Sequence, residues 1–129
     1  MGAHGQAFRL RTQQDVAEAL RRLPAPAFVF QVDTGRFLDV NHHFESLLGY
    51  TQAELLNMMV DGIQPEERVA ACHHARAQAP PLGLLRWQYR RKDGALVNVR
   101  IHYREIQYKH RTGEDLNARF VVVEFWESA

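Results

Sequence analysis

The sequence predicts an α+β domain: one five-stranded antiparallel sheet flanked by short helices, with an extra amphipathic helix at the N-terminus. Three observations carry this reading. Residues Leu84 to Arg90 and Ala95 to Ile106 alternate apolar and polar side chains with a period of two, the pattern of strands with one buried face. Between them and an earlier hairpin lie helix starts at Asn41, Thr51 and Pro65, each with its own capping chemistry. The length of 129 residues, 46% hydrophobic and 24% charged, is ordinary for one globular domain and leaves no room for a second.

The elements follow in order. Thr12 to Leu23 sets Val16, Ala19, Leu20 and Leu23 at helical spacing, with Thr12 and Asp15 as its cap. Pro24 and Pro26 stop that helix, because each removes a backbone donor and biases its predecessor away from the α region. Ala27 to Asp33 alternates, with Phe28, Phe30 and Val32 on one side, and Asp33-Thr34-Gly35 turns the chain into Arg36 to Val40. Asn41 then caps a helix bearing Phe44, Leu47 and Leu48, which Gly49 can end in the left-handed conformation. Thr51 and Glu54 form a capping box on Gln52 to Asn57. Pro65, Glu66 and Glu67 open a third helix, the longest of the body, running to about Ala77 before Pro80 and Pro81 break it.

In the second half, Leu85, Trp87 and Tyr89 oppose Arg86, Gln88 and Arg90, and Lys92-Asp93-Gly94 turns the chain. Val97, Val99, Ile101 and Tyr103 oppose Asn98, Arg100, His102 and Arg104. A polar loop from His110 to Asp115 leads to a final strand, Phe120 to Trp126. No internal repeat or low-complexity tract interrupts this order.

Charge and composition exclude several classes. Sixteen Lys and Arg against fifteen Asp and Glu give a net charge of +1, without the excess that drives sequence-independent nucleic-acid binding. No segment approaches the roughly 18 apolar residues of a membrane span, and Met1-Gly2-Ala3-His4-Gly5 lacks a signal-peptide apolar core. The single cysteine, Cys72, cannot form an internal disulfide and fits a reducing compartment. The expectation is a cytoplasmic domain that engages neither membrane nor nucleic acid.

Phe37-Leu38-Asp39-Val40-Asn41, followed by Phe44, Leu48, Gly49-Tyr50 and Thr51-Gln52-Ala53-Glu54-Leu55, resembles the first half of a PAS domain. Gln64-Pro65-Glu66-Glu67-Arg68 at the long helix and Arg91-Lys92-Asp93-Gly94 in a hairpin resemble the second half. The likeness spans Ala25 to Glu127, so residues 1–24 read as an N-terminal flank and 25–129 as the PAS domain. One departure stands at the exit: many family members finish with Asp-Ile-Thr, whereas this chain runs Glu124-Phe125-Trp126-Glu127. The resemblance implies a sensory and dimerisation module of a larger protein: a bacterial transcription regulator, a sensor histidine kinase or a cyclic-nucleotide enzyme supplying the output domain.

It also implies a small, largely apolar ligand between the long helix and the sheet. Met58, Met59, Val69, Cys72 and His73 would line that site from the helical side, and Trp87, Tyr89, Val99, Ile101, Tyr103, Val121 and Val123 from the strands. The alternative is that these residues only fill the core of a ligand-free protein-interaction module. Haem, which oxygen-sensing members bind through a histidine of the long helix, is disfavoured. Counting from Arg68, the expected position holds Ala71 or Cys72, and the adjacent His73 and His74 point about 100° apart on a helix. Covalent flavin is disfavoured because Cys72 lacks the Asn-Cys-Arg-Phe setting of light-sensing members, while non-covalent flavin stays open. Neither His42-His43 nor His73-His74 has the i, i+4 spacing that converges on a metal. No nucleophile elbow, phosphate-binding glycine loop or Ser-His-Asp set points to an enzyme.

Two surface expectations remain. If Trp87, Tyr89, Val99 and Ile101 face inward, then Arg86, Gln88, Arg90, Asn98, Arg100, His102 and Arg104 share the outer face. That face is either simply solvated or a dock for acidic groups, whether a partner's or Asp15 and Glu18 of the first helix. Val16, Leu20 and Leu23 form an apolar stripe that a lone helix could not keep in water, which points to self-association as a homodimer.

Overall fold

A computed structural model describes residues 12–128. Met1 to Gly5, read above for a leader, lie outside the described residues. Helix α1 (Gln13–Arg22) starts at Thr12, whose hydroxyl accepts from the Asp15 N–H while the Asp15 carboxylate accepts from the Thr12 N–H, both at 3.1 Å. Strands β1 (Ala27–Gln31) and β2 (Phe37–Val40) form the first hairpin, and helices α2 (His42–Leu48) and α3 (Gln52–Leu55) follow. Two 3-10 turns, Val60–Ile63 and Glu66–Arg68, lead into α4 (Val69–Gln78). Strands β3 (Leu82–Arg90), β4 (Leu96–Lys109) and β5 (Asp115–Ser128) complete one antiparallel sheet in the order β2-β1-β5-β4-β3.

The α+β architecture, with five antiparallel strands and flanking helices, is the one the sequence predicts. Several element boundaries differ, and three of them matter for the layers. The third body helix is split, because only a 3-10 turn follows Pro65 before α4 begins at Val69. Strand β4 continues to Lys109, and β5 begins at Asp115 instead of Phe120. The extra length buries Tyr108, Leu116 and Ala118 on the outer face, where α1 lies.

The sheet therefore carries a core on each side. On the inner face Phe28, Phe37, Phe44 and Tyr89 pack edge to face or tilted, with Phe28 and Phe44 centroids 4.5 Å apart. On the outer face Val16 (0% exposed) and Leu20 (2% exposed) sit on Ala27, Val29, Tyr108 and Phe120. This corrects the expectation for the stripe of Val16, Leu20 and Leu23: the chain's own sheet covers it, with Leu23 half-buried beside it. Burying each such side chain contributes about 1.5–3 kcal/mol, which ties α1 to the domain instead of leaving it for a second copy.

The turn motifs join these layers. The Asn41 side chain caps α2 by accepting from the Phe44 N–H. Gly49 ends α2 at φ 85°, a conformation that strains any side chain-bearing residue. Carbonyls left over at that end are met from the β3–β4 hairpin: Arg91 donates to the Leu47 oxygen and the Lys92 N–H to the Leu48 oxygen. Lys92 also pairs with Glu54 of the α3 capping box at 2.6 Å. Among the described residues, no helix is long and apolar enough to cross a membrane.

Candidate functional site

Helix α4 is poor in large apolar residues, and only Cys72 of it is buried. It is held by polar contacts: the Asp61 carboxylate binds His73 Nε2 at 2.6 Å and the Arg76 guanidinium at 3.4 Å. Towards the sheet it and the residue after it present Cys72, Ala75, Arg76 and Ala79. Small side chains facing a floor of large rings cannot fill the space between them, and a cavity of about 80 Å³ remains. Six of the expected residues line it: Cys72, Trp87, Tyr89, Ile101, Tyr103 and Val121.

The other six do not. His73 is turned to Asp61 and half-exposed, and Met59 is 47% exposed and not part of the lining. Val69 sits half-exposed at the first position of α4, and Met58 packs on the core away from the cavity. Val99 and Val123 are buried in the inner core without lining the cavity. Neither histidine of α4 lines the cavity. Among the described residues, no group of three or more His, Cys, Asp or Glu side chains is placed to hold a metal ion.

Sequence reasoning missed Phe28, Phe30 and Leu85 on the sheet side, Val60 and Gln64 on the turns, and the two arginines Arg76 and Arg119. Gln64, 2% exposed, donates to the Val60 oxygen at 2.9 Å and accepts from the Trp87 indole, which fixes the indole at the cavity wall. Arg119, 5% exposed, lies with its guanidinium over the Tyr103 ring at 5.1 Å and the Phe30 ring at 5.8 Å. One of its terminal nitrogens donates to Glu105 at 2.9 Å and to the Arg76 carbonyl at 3.5 Å. Its Nε is enclosed and, among the described residues, meets no acceptor.

Burial, followed by the nearby Asp61 carboxylate, pushes the Cys72 thiol up to about 11, so it is protonated and unreactive at neutral pH. Burial likewise raises the Tyr89 phenol far above its ordinary value. Nothing at the cavity wall is poised as a nucleophile beside a base.

The outer face carries a different chemistry. Arg86, Asn98, Arg100 and His102 are exposed there, and Glu124 of β5 accepts from both Arg100 and His102. Arg90 leaves the expected row: at the end of the edge strand it donates to the Gly62 carbonyl on the helical side. Leu82, Leu84 and Phe125 stand exposed beside the basic residues, beyond the area that α1 covers.

A family model described as the PAS fold matches residues 14–114. Among solved structures, a PAS domain from a two-component sensor histidine kinase superposes with a TM-score of 0.69 at 16% identity, covering 90% of this chain and 95% of that one. The PAS domain of an HTR-like protein from Haloarcula marismortui gives 0.63 at 17%, covering 100% of both. The Drosophila melanogaster Cycle PAS-B domain with bound ethylene glycol gives 0.61 at 15%, covering 81% and 99%. No curated protein matches the sequence.

Proposed function

The chain belongs to the PAS family, and from that premise we propose that it senses a small, largely apolar molecule through the cavity between α4 and the sheet. The observation that carries this is the mismatch of size across that interface: small side chains on α4 over the rings of Phe28, Phe30, Trp87 and Tyr103. The similar Cycle domain holds ethylene glycol, a molecule of the size this cavity would take. The module acts by binding and not by turnover, inside a larger signal-transduction or transcription-regulatory protein in the cytoplasm, as a homodimer that pairs through a surface other than the covered α1 stripe. Native and denaturing mass spectra of the purified chain test it, together with thermal shifts across a panel of two- to five-carbon molecules. Retained mass that denaturation releases, or a saturable shift abolished by Ala75→Leu, supports the reading; an apo mass with no shift across the panel overturns it.

A second reading rests on Leu82, Leu84 and Phe125, exposed beside the Arg100–Glu124–His102 cluster. On it the domain is a ligand-free module whose outer sheet face contacts protein. Charge reversal at Arg86 and Arg100 separates the two, since it would weaken such a contact and leave the cavity untouched.

A further inference from the structure

Arg119 is chemically out of place in the cavity wall. A guanidinium has five N–H donors in one plane and carries its charge at every accessible pH. In this structure it lies over two rings, Phe30 and Tyr103, which supply no hydrogen-bond acceptor oxygen from their faces. The described acceptors, Glu105 and the Arg76 carbonyl, share a single terminal nitrogen, and Glu105 is itself 39% exposed. Among the described residues, Nε is left buried with no acceptor. A buried donor without a partner is unfavourable, and an arginine edge matches the two oxygens of a carboxylate.

The rest of the lining sets the remainder of the ligand. Phe28, Ile101 and Val121 offer only carbon, and Gln64 is already committed to Val60 and Trp87. A cavity of about 80 Å³ is roughly half the 150 Å³ that accommodates benzene, which limits the guest to a handful of heavy atoms. We propose that the cavity takes a short-chain monocarboxylate, its tail on Phe28, Ile101 and Val121 and its carboxylate on the Arg119 Nε edge. The proposal rests on the ligand-binding reading above and gives the ligand's chemical class.

The test compares propionate with 1-propanol, which shares its carbon tail and lacks its charge. Both are titrated into the full chain at constant ionic strength and followed by NMR, reading the backbone amides of cavity residues and the Arg119 Nε–H resonance. Propionate is expected to bind roughly tenfold or more tightly than 1-propanol, because charge-assisted hydrogen bonds are about twice as strong as neutral ones. It should also shift the Nε–H, and the preference should fall to near unity in Arg119→Met. Equal affinity for the two in the wild type, or a preference unchanged in Arg119→Met, overturns the carboxylate assignment while leaving ligand binding intact. Failure of both molecules to perturb any cavity residue overturns the carboxylate assignment, while the reading beneath it stands or falls on the mass spectra and the wider panel. Should Arg119→Met not fold, the wild-type ratio and the Nε–H resonance decide the matter.

Discussion

Asn41 offers the sharpest test of how this domain is held together. Its side chain, 6% exposed, makes four hydrogen bonds: Oδ1 accepts from the N–H groups of Phe44 at 3.0 Å and Ala27 at 3.1 Å. Nδ2 donates to the carbonyls of Leu20 at 3.1 Å and Ala25 at 2.8 Å. One amide thus caps α2, starts β1, and ties down both the end of α1 and the proline segment that follows. Asn41→Ala removes the cap, at a cost of about 1 kcal/mol. It also strands the buried Ala27 donor, at about 1–2 kcal/mol, whereas the Leu20 carbonyl keeps the Leu23 N–H at 3.4 Å and water can reach the half-exposed Ala25 carbonyl. The expected loss is therefore about 2–3 kcal/mol from a total that for such domains is about 5–15 kcal/mol. Urea unfolding followed by tryptophan fluorescence measures it, with an unchanged denaturant slope as the sign that the native fold persists. Asn41→Ser, which keeps an acceptor for the Phe44 N–H, should recover about 1 kcal/mol of this. Hydrogen exchange in Asn41→Ala should speed up in α1 before it does in β4. A loss below about 1 kcal/mol, or equal effects of Ala and Ser, would refute the reasoning, because the buried groups would then have found other partners.

Two further outcomes are expected. His102 foremost, with Arg100, holds the Glu124 carboxyl below the ordinary 4.5, so its contribution is complete above that value and lost as the pH falls through the depressed one. Carbon-detected NMR of Glu124 should place its midpoint under 4.5, and Arg100→Gln with His102→Gln should return it; a wild-type midpoint at or above 4.5 would contradict the pairing. On the same face, the Tyr108 hydroxyl is buried under α1 with no hydrogen-bond partner among the described residues. Tyr108→Phe should accordingly stabilise the chain by about 1 kcal/mol, and a comparable loss in urea unfolding would mean that the hydroxyl has a partner after all.

Much of the fold was legible because its signals are local. Thr12 with Asp15, Asn41, Thr51 with Glu54, and Gly49 each satisfy or end a helix within four residues, and the structure places every one in that role. The alternation of Val97, Val99, Ile101 and Tyr103 identified the inner face of β4 for the same reason. What failed was long-range. The stripe Val16, Leu20 and Leu23 read correctly as apolar, but nothing local says whether a second chain or the chain's own sheet covers it. The answer lay in Tyr108, Leu116 and Ala118, about ninety residues on, in a stretch whose polar neighbours Lys109 to Asp115 make it look like loop.

The site was half legible, and the division is physical. Sheet-side candidates came from a period that β-structure imposes, so Trp87, Tyr89, Ile101, Tyr103 and Val121 were placed on the cavity side. On α4 the same reasoning sought large side chains, and the cavity exists because the residues there are small: Ala75 and Ala79 make room where His73 and Val69 were expected to line it. Arg119 was missed because a charged residue in a strand reads as outward-facing. A signal was nevertheless present. Residues Asn117 to Val123 alternate, and Val121 and Val123 as inward residues put Arg119 on the same side, since neighbours two apart share a face. An arginine that the strand period forces inward has to be paid for by aromatic faces and acceptors. The chain supplies the rings of Phe30 and Tyr103 and one carboxylate, Glu105, and leaves the Nε edge for something else to meet.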